Sequence, residues 1–204
     1  MVFDVFQKAG IVIYPLMACS VISLTVILER FLFWISQNRR VDAELVDQVL
    51  EFARLGKFEE IRERTRGARD YVIKVLVCGL VHKDYSVSKA MEMAAQEEIR
   101  RMKRGLPVLD TMITAAPLLG ILGTVIGIIH SFDMLGQAGI QDPQAVTGGI
   151  AQALLTTAAG LLIAVFTLFP YNYFMSKVEK AVNRIEKYAT SLEIVCCKDE
   201  GAGS

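Results

Sequence analysis

From Leu106 to Ser176 the chain has neither lysine nor arginine. Soluble domains carry about one charged residue in four, so a gap of this length excludes an ordinary water-soluble fold for that stretch. Histidine is scarce as well. His82 and His130 are the only two, and no Ser/His/Asp set, P-loop or metal cluster accompanies either. His82 reads as a surface residue at a helix end and His130 as an interfacial one, so the chain is not expected to be an enzyme. The four cysteines, Cys19, Cys78, Cys196 and Cys197, include no CxxC pair and no Cys/His spacing of a zinc site. No metal and no cofactor is expected. The stretch Leu16-Met17-Ala18-Cys19 faintly resembles a lipoprotein cleavage box, but apolarity continues past Cys19 to Trp34. A cleaved signal stops near its cleavage site, which places Cys19 inside an uncleaved helix.

What the chain does have is 53% hydrophobic residues beside 22% charged ones. The two coexist by segregation. Ser36–Gly105 holds 15 Lys/Arg and 12 Asp/Glu, next to long apolar blocks. This pattern belongs to a membrane protein with a sizeable soluble part. A spanning helix needs about 20 mostly apolar residues, and three stretches qualify. The reading is an N-terminal segment with a first span (1–35), a charged helical domain (36–107), a second span (108–135), a short loop (136–145), a third span (146–175) and a C-terminal tail (176–204). The run Tyr71–Val81 is broken by Lys74 and too short to span, so it reads as one helix of the soluble part.

Of 22 Lys/Arg, 15 lie in Ser36–Gly105 and five after Met175, while the loop between the second and third spans has none. The positive-inside rule then makes the charged domain and the tail cytoplasmic, with the N-terminus and the short loop outside. In a bacterium that is a multi-pass inner-membrane protein with a periplasmic N-terminus and a cytoplasmic C-terminus. Within the charged domain Asp42 can cap one helix, and Ser86 or Ser88 another. The run Arg100-Arg101-Met102-Lys103-Arg104 abuts the second span. It reads as an anchor to anionic lipid rather than a nucleic-acid site.

The second and third spans are not uniformly apolar. Pro117, Gly120, Thr124, Gly127 and Ser131 share one face of the second. Gly149, Gln152, Ala153, Thr156, Thr157, Gly160 and Ala164 lie on one side of the third. Small residues let membrane helices approach closely, so one reading is helix packing alone. The other is that Gly120, Thr124, Gly127, Ser131, Gln152, Thr156, Thr157 and Gly160 line an internal path. Gln152 favours it, because an amide in hydrocarbon is costly without protein or water to bond. The central parts of both spans lack a carboxylate, Lys or Arg. A titrating group for proton transfer must then come from a partner, or water must carry the proton.

At these residues the sequence resembles a known family. Ala115-Ala116-Pro117-Leu118-Leu119-Gly120-Ile121-Leu122-Gly123-Thr124-Val125-Ile126-Gly127-Ile128-Ile129-His130-Ser131-Phe132 is similar to the hallmark of the MotA/TolQ/ExbB proton-channel family. So are Gly149-Ile150-Ala151-Gln152-Ala153-Leu154-Leu155-Thr156-Thr157-Ala158-Ala159-Gly160-Leu161, Tyr171-Asn172-Tyr173-Phe174 and the pair Glu29-Arg30. Three spans resemble the ExbB/TolQ branch. The resemblance implies an all-α, three-span membrane protein with helices extending into a cytoplasmic helical domain. It also implies a homo-pentamer around an ExbD- or TolR-like single-span partner whose membrane aspartate carries the proton, and a TonB- or TolA-like protein energised in turn. Thr124 and Thr157 fall at the family's pore-facing threonines. Gln152 stands where the family often has glutamate, which removes an ionisable group from this subunit. The runner-up function is a non-conducting membrane scaffold that organises a partner complex.

Overall fold

A computed structural model describes residues 11–38, 42–82, 86–138 and 143–201. The expectations for 1–10, for the centre of the loop at 139–142 and for 202–204 lie outside the described residues. Among the described residues there are seven helices and no strand: α1 Ile13–Asn38, α2 Ala43–Arg54, α3 Phe58–Arg64, α4 Tyr71–Val81, α5 Val87–Lys103, α6 Leu106–Ala138 and α7 Pro143–Gly201. Three helical stretches are long and apolar enough to cross a membrane. Pro15 and Pro107 sit in the first turns of α1 and α6, where a missing N–H breaks no helical bond.

Helix α7 runs for 59 residues, nearly three times the ~20 that span a hydrocarbon core. Residues 176–201 thus continue the same helix as the third apolar stretch. Its pattern changes on the way. Beyond Met175 the buried positions are Val178, Ala181, Ile185 and Leu192, a three-to-four spacing that lays one apolar stripe along an otherwise charged helix.

The chain forms two compact units, Met1–Arg30 with Gly105–Phe174, and Phe31–Arg104 with Met175–Ser204. The first holds the apolar parts of α1, α6 and α7. Val12, just before α1, and Leu16 of α1 pack with Ala116 of α6, and Leu119 and Ile163 close the cluster. Leu118, Ile121, Val125, Phe132, Leu161, Leu162, Phe166 and Phe169 are exposed. An apolar exterior of this kind suits lipid, which solvates it as well as a protein core would. Gly105, between α5 and α6, has φ +80°, and a Cβ there would lie 3.0 Å from Val26 Cγ1. Gly56 has φ +68° but open space around it. Gly105→Ala is expected to lower stability by more than the ~1–2 kcal/mol of left-handed backbone strain. Gly56→Ala should cost the strain alone. Thermal unfolding of both variants in detergent checks this, and equal losses would refute the contact.

The second unit is a set of short capped helices. Asp42 accepts from Leu45 N at 3.0 Å to start α2, and Ser86 accepts from Lys89 N at 3.3 Å to start α5. Val72, Ile73, Val75 and Leu76 of α4 are fully buried. Gly79 lets Met91 and Val87 of α5 approach α4 closely, and Lys74 and Glu98 pair across the two helices at 2.9 Å. Asp70 is 1% exposed. Its Oδ1 accepts from Val72 N at 2.8 Å and its Oδ2 from Asp42 N at 2.8 Å, with Arg184 of α7 at 3.8 Å. The Arg184 guanidinium lies 5.9 Å from the ring centres of both Tyr71 and Tyr188. Burial pushes the Tyr71 phenol above its ordinary value of 10.0, partly opposed by Arg184.

Candidate functional site: the seam of α6 and α7

The seam is built from residues with little or no side chain. A Cβ on Gly120 would lie 2.9 Å from Thr157 Cα, on Gly123 2.9 Å from Thr156 Cβ, and on Gly127 2.7 Å from Ala153 Cβ. From the other helix, a Cβ on Gly160 would lie 3.2 Å from Gly120 Cα and strike the Ala116 carbonyl oxygen, and one on Gly149 would overlap the Ser131 hydroxyl. Five glycines therefore bring two backbones into direct contact. Dispersion between closely apposed backbones is the main attraction available in lipid.

The hydroxyls are arranged around that contact. Thr157 Oγ1 donates to Gly120 O on the facing helix at 2.8 Å. Thr156, 2% exposed, donates to Ala153 O at 2.7 Å. Ser131, also 2% exposed, donates to Gly127 O at 2.9 Å. Thr124 is half-buried and donates back to Ile121 O at 2.6 Å. Each hydroxyl has committed its one proton to a carbonyl and still offers oxygen lone pairs as acceptors. Such a group can receive a hydrogen bond from water or from a neutral carboxylic acid.

Of the residues singled out from sequence, Gly120, Gly127, Ser131, Thr156, Thr157 and Gly160 meet at the seam. Gln152 is half-buried and lines a cleft of about 250 Å³ with Thr156, Gly127, His130 and the turn at Ile11 and Val12. Thr124 is not among the residues lining that cleft. The expected path on α6 left out Gly123 and Ala116. The Gly123–Gly127 spacing is the G-x-x-x-G pattern of close membrane helix pairs, and that signal could have found Gly123. At the other end of the first span Arg30 is 2% exposed and its guanidinium is bonded to Glu29.

Residues 69–187 match the description "MotA/TolQ/ExbB proton channel family". The chain belongs to that family. The match covers the whole seam and both partners of the Asp70–Arg184 pair. The family member ExbB-like 1 of Synechocystis is 34% identical over 200 residues, covering 94% of this chain and 78% of that protein. The exbB1 biopolymer transport protein of Vibrio cholerae is 30% identical over 166 residues, 78% of this chain and 72% of its own. The Tol-Pal system protein TolQ of Pseudomonas aeruginosa is 33% identical over 109 residues, 53% of this chain and 47% of its own. The MotA/TolQ/ExbB family is one of proton channels, not of enzymes, and this member, of the ExbB/TolQ branch, is a membrane protein.

Proposed function

We propose that the chain is the channel-forming subunit of a proton-driven motor complex in the bacterial inner membrane. Five copies surround an ExbD/TolR-like single-span partner whose aspartate carries the proton, and its motion energises a TonB/TolA-like protein that acts on the outer membrane. The N-terminus and the α6–α7 connection face the periplasm, and the α2–α5 helices with the end of α7 face the cytoplasm. The observation that carries the reading is the cross-helix bond from Thr157 to Gly120 in a seam without any ionisable side chain. Thr157, Thr124 and Gln152 supply hydrogen-bonding groups to the path. Gly120, Gly127, Gly160, Ser131 and Thr156 hold its wall thin and rigid. Such a surface solvates a neutral carboxylic acid without competing for its proton, so the partner's acid can titrate as it turns. One elementary charge crossing 100 mV releases about 2.3 kcal/mol, so a few protons supply enough to drive a helix past its packing barriers.

The test is proton flux into liposomes that carry the chain with and without the aspartate-bearing partner. Flux is expected only with both, and Thr157→Val is expected to reduce it at least tenfold while the complex still assembles. A scaffold without conduction is the second reading, favoured by how completely glycine and alanine fill the seam. It predicts no flux with or without the partner, and normal partner recruitment by the Thr157→Val variant.

A further inference from the structure

The cleft beside the seam is bounded by Ile11 and Val12 before α1, by Gly123, Ile126, Gly127 and His130 of α6, and by Gly149, Gln152, Ala153 and Thr156 of α7. Most of its wall is apolar. Its polar side chains are the His130 imidazole, the Gln152 amide and the Thr156 hydroxyl. Between Asp110 and Asp133 of α6, His130 is the only titratable side chain, and α7 has none from Thr147 to Pro170. Gln152 can pass on a hydrogen bond but cannot ionise. His130 is exposed and lies eight residues, ~12 Å of helix, from the end of α6. Its side chain thus reaches both the surface and a chamber that leads to Gln152 and the seam.

Resting on the channel reading above, we propose that His130 is the proton-loading residue of this subunit, and that the cleft is the chamber through which its proton reaches the path along α6 and α7. The chamber has room for several waters at ~30 Å³ each, with the His130 and Gln152 side chains to bind them. A proton from water outside adds to the unprotonated ring nitrogen of His130. The imidazolium then releases a proton to cleft water held by Gln152. Water delivers it to an ionised carboxylate of the single-span partner, which becomes the neutral acid as the imidazole returns to its neutral form. A neutral imidazole has one bare ring nitrogen and one N–H, so it can take a proton on one nitrogen and release one from the other. Among the described residues, the walls from Ile11, Val12 and α7 carry no charged side chain. On its own helix Asp133, three residues further on, is the nearest ionisable group.

The experiment measures flux in liposomes carrying the complete complex at a fixed membrane potential, with the same pH on both sides, from about pH 5 to 8.5. Wild-type flux is expected to show one inflection across that pH range. His130→Asn and His130→Gln should lose that inflection and at least five-fold of the flux. In His130→Ala, added imidazole should restore flux and pyrrole should not. Wild-type midpoint and rate in His130→Asn overturn the proposal and leave the channel reading standing. So does lost flux in His130→Ala that imidazole fails to restore. Absence of flux in the wild-type complex overturns both.

Discussion

A Gly160→Leu variant is expected to insert into the membrane normally and to lose proton flux to the level of empty liposomes. Insertion depends on apolarity, which leucine increases. The seam is another matter. At Gly160 even a methyl group would collide with the Ala116 carbonyl and lie 3.2 Å from Gly120 Cα. These are backbone atoms, so no rotamer change makes room. The two helices must separate, which breaks the Thr157–Gly120 bond and unpacks Gly123 from Thr156. Overpacking by one or two methylenes ordinarily costs ~1–3 kcal/mol; a whole leucine against backbone exceeds that. Gly148→Leu is the matched control, because a Cβ at Gly148 meets nothing within 4 Å. Flux measurement alongside protease mapping of topology decides the matter. Wild-type flux in Gly160→Leu would show that the seam is not part of the conducting machinery.

The second large effect is expected at Asp70. Its carboxylate caps α4 through Val72 N, holds Asp42 N at the start of α2 and faces Arg184 of α7. Asp70→Ala removes all three at once. An N-cap alone is worth about 1 kcal/mol, and removing one member of a buried ion pair costs ~3–5 kcal/mol because the other charge stays behind. The 3.8 Å separation puts the pair at the weak end of that range, so a total of ~3 kcal/mol is expected. Asp70→Asn keeps an acceptor for one of the backbone amides and should lose about half as much. Chemical denaturation of the purified protein in detergent, followed by helical signal and by proteolysis within residues 42–103, reads both. A loss below ~1 kcal/mol in Asp70→Ala would mean that the three contacts contribute little.

Much of the fold is legible in the chain because it follows from where charge is missing. A stretch as long as 106–176 that is mostly apolar and lacks lysine and arginine is more stable in lipid than in water, and in lipid only helices and closed barrels satisfy the backbone. The helix start at Asp42 is likewise local, since its cap partner lies three residues on. The Asp70 cluster is different. Nothing near Asp70 in sequence announces Arg184, and the pairing exists only because α7 continues past Phe174 and brings a cationic side chain to the start of α4. The continuation itself is obscured by Pro170 and by the change from uniform apolarity to a narrow stripe.

The seam shows the same division at finer scale. Periodicity puts both Gly123 and Thr124 near one face of α6, because three-residue and four-residue steps fit a 3.6-residue turn equally well. Sequence selected Thr124 for its chemistry; packing put Gly123 against Thr156. His130, next to Ser131 in the chain, gained its neighbours Ile11, Val12 and those on α7 only on folding. By itself, then, the sequence determined which segments leave water and which chemical groups they carry, because transfer free energy depends on composition and local period. Which of those groups touch was decided by tertiary structure, because helix rotation and close approach depend on the shape of the surface each helix meets.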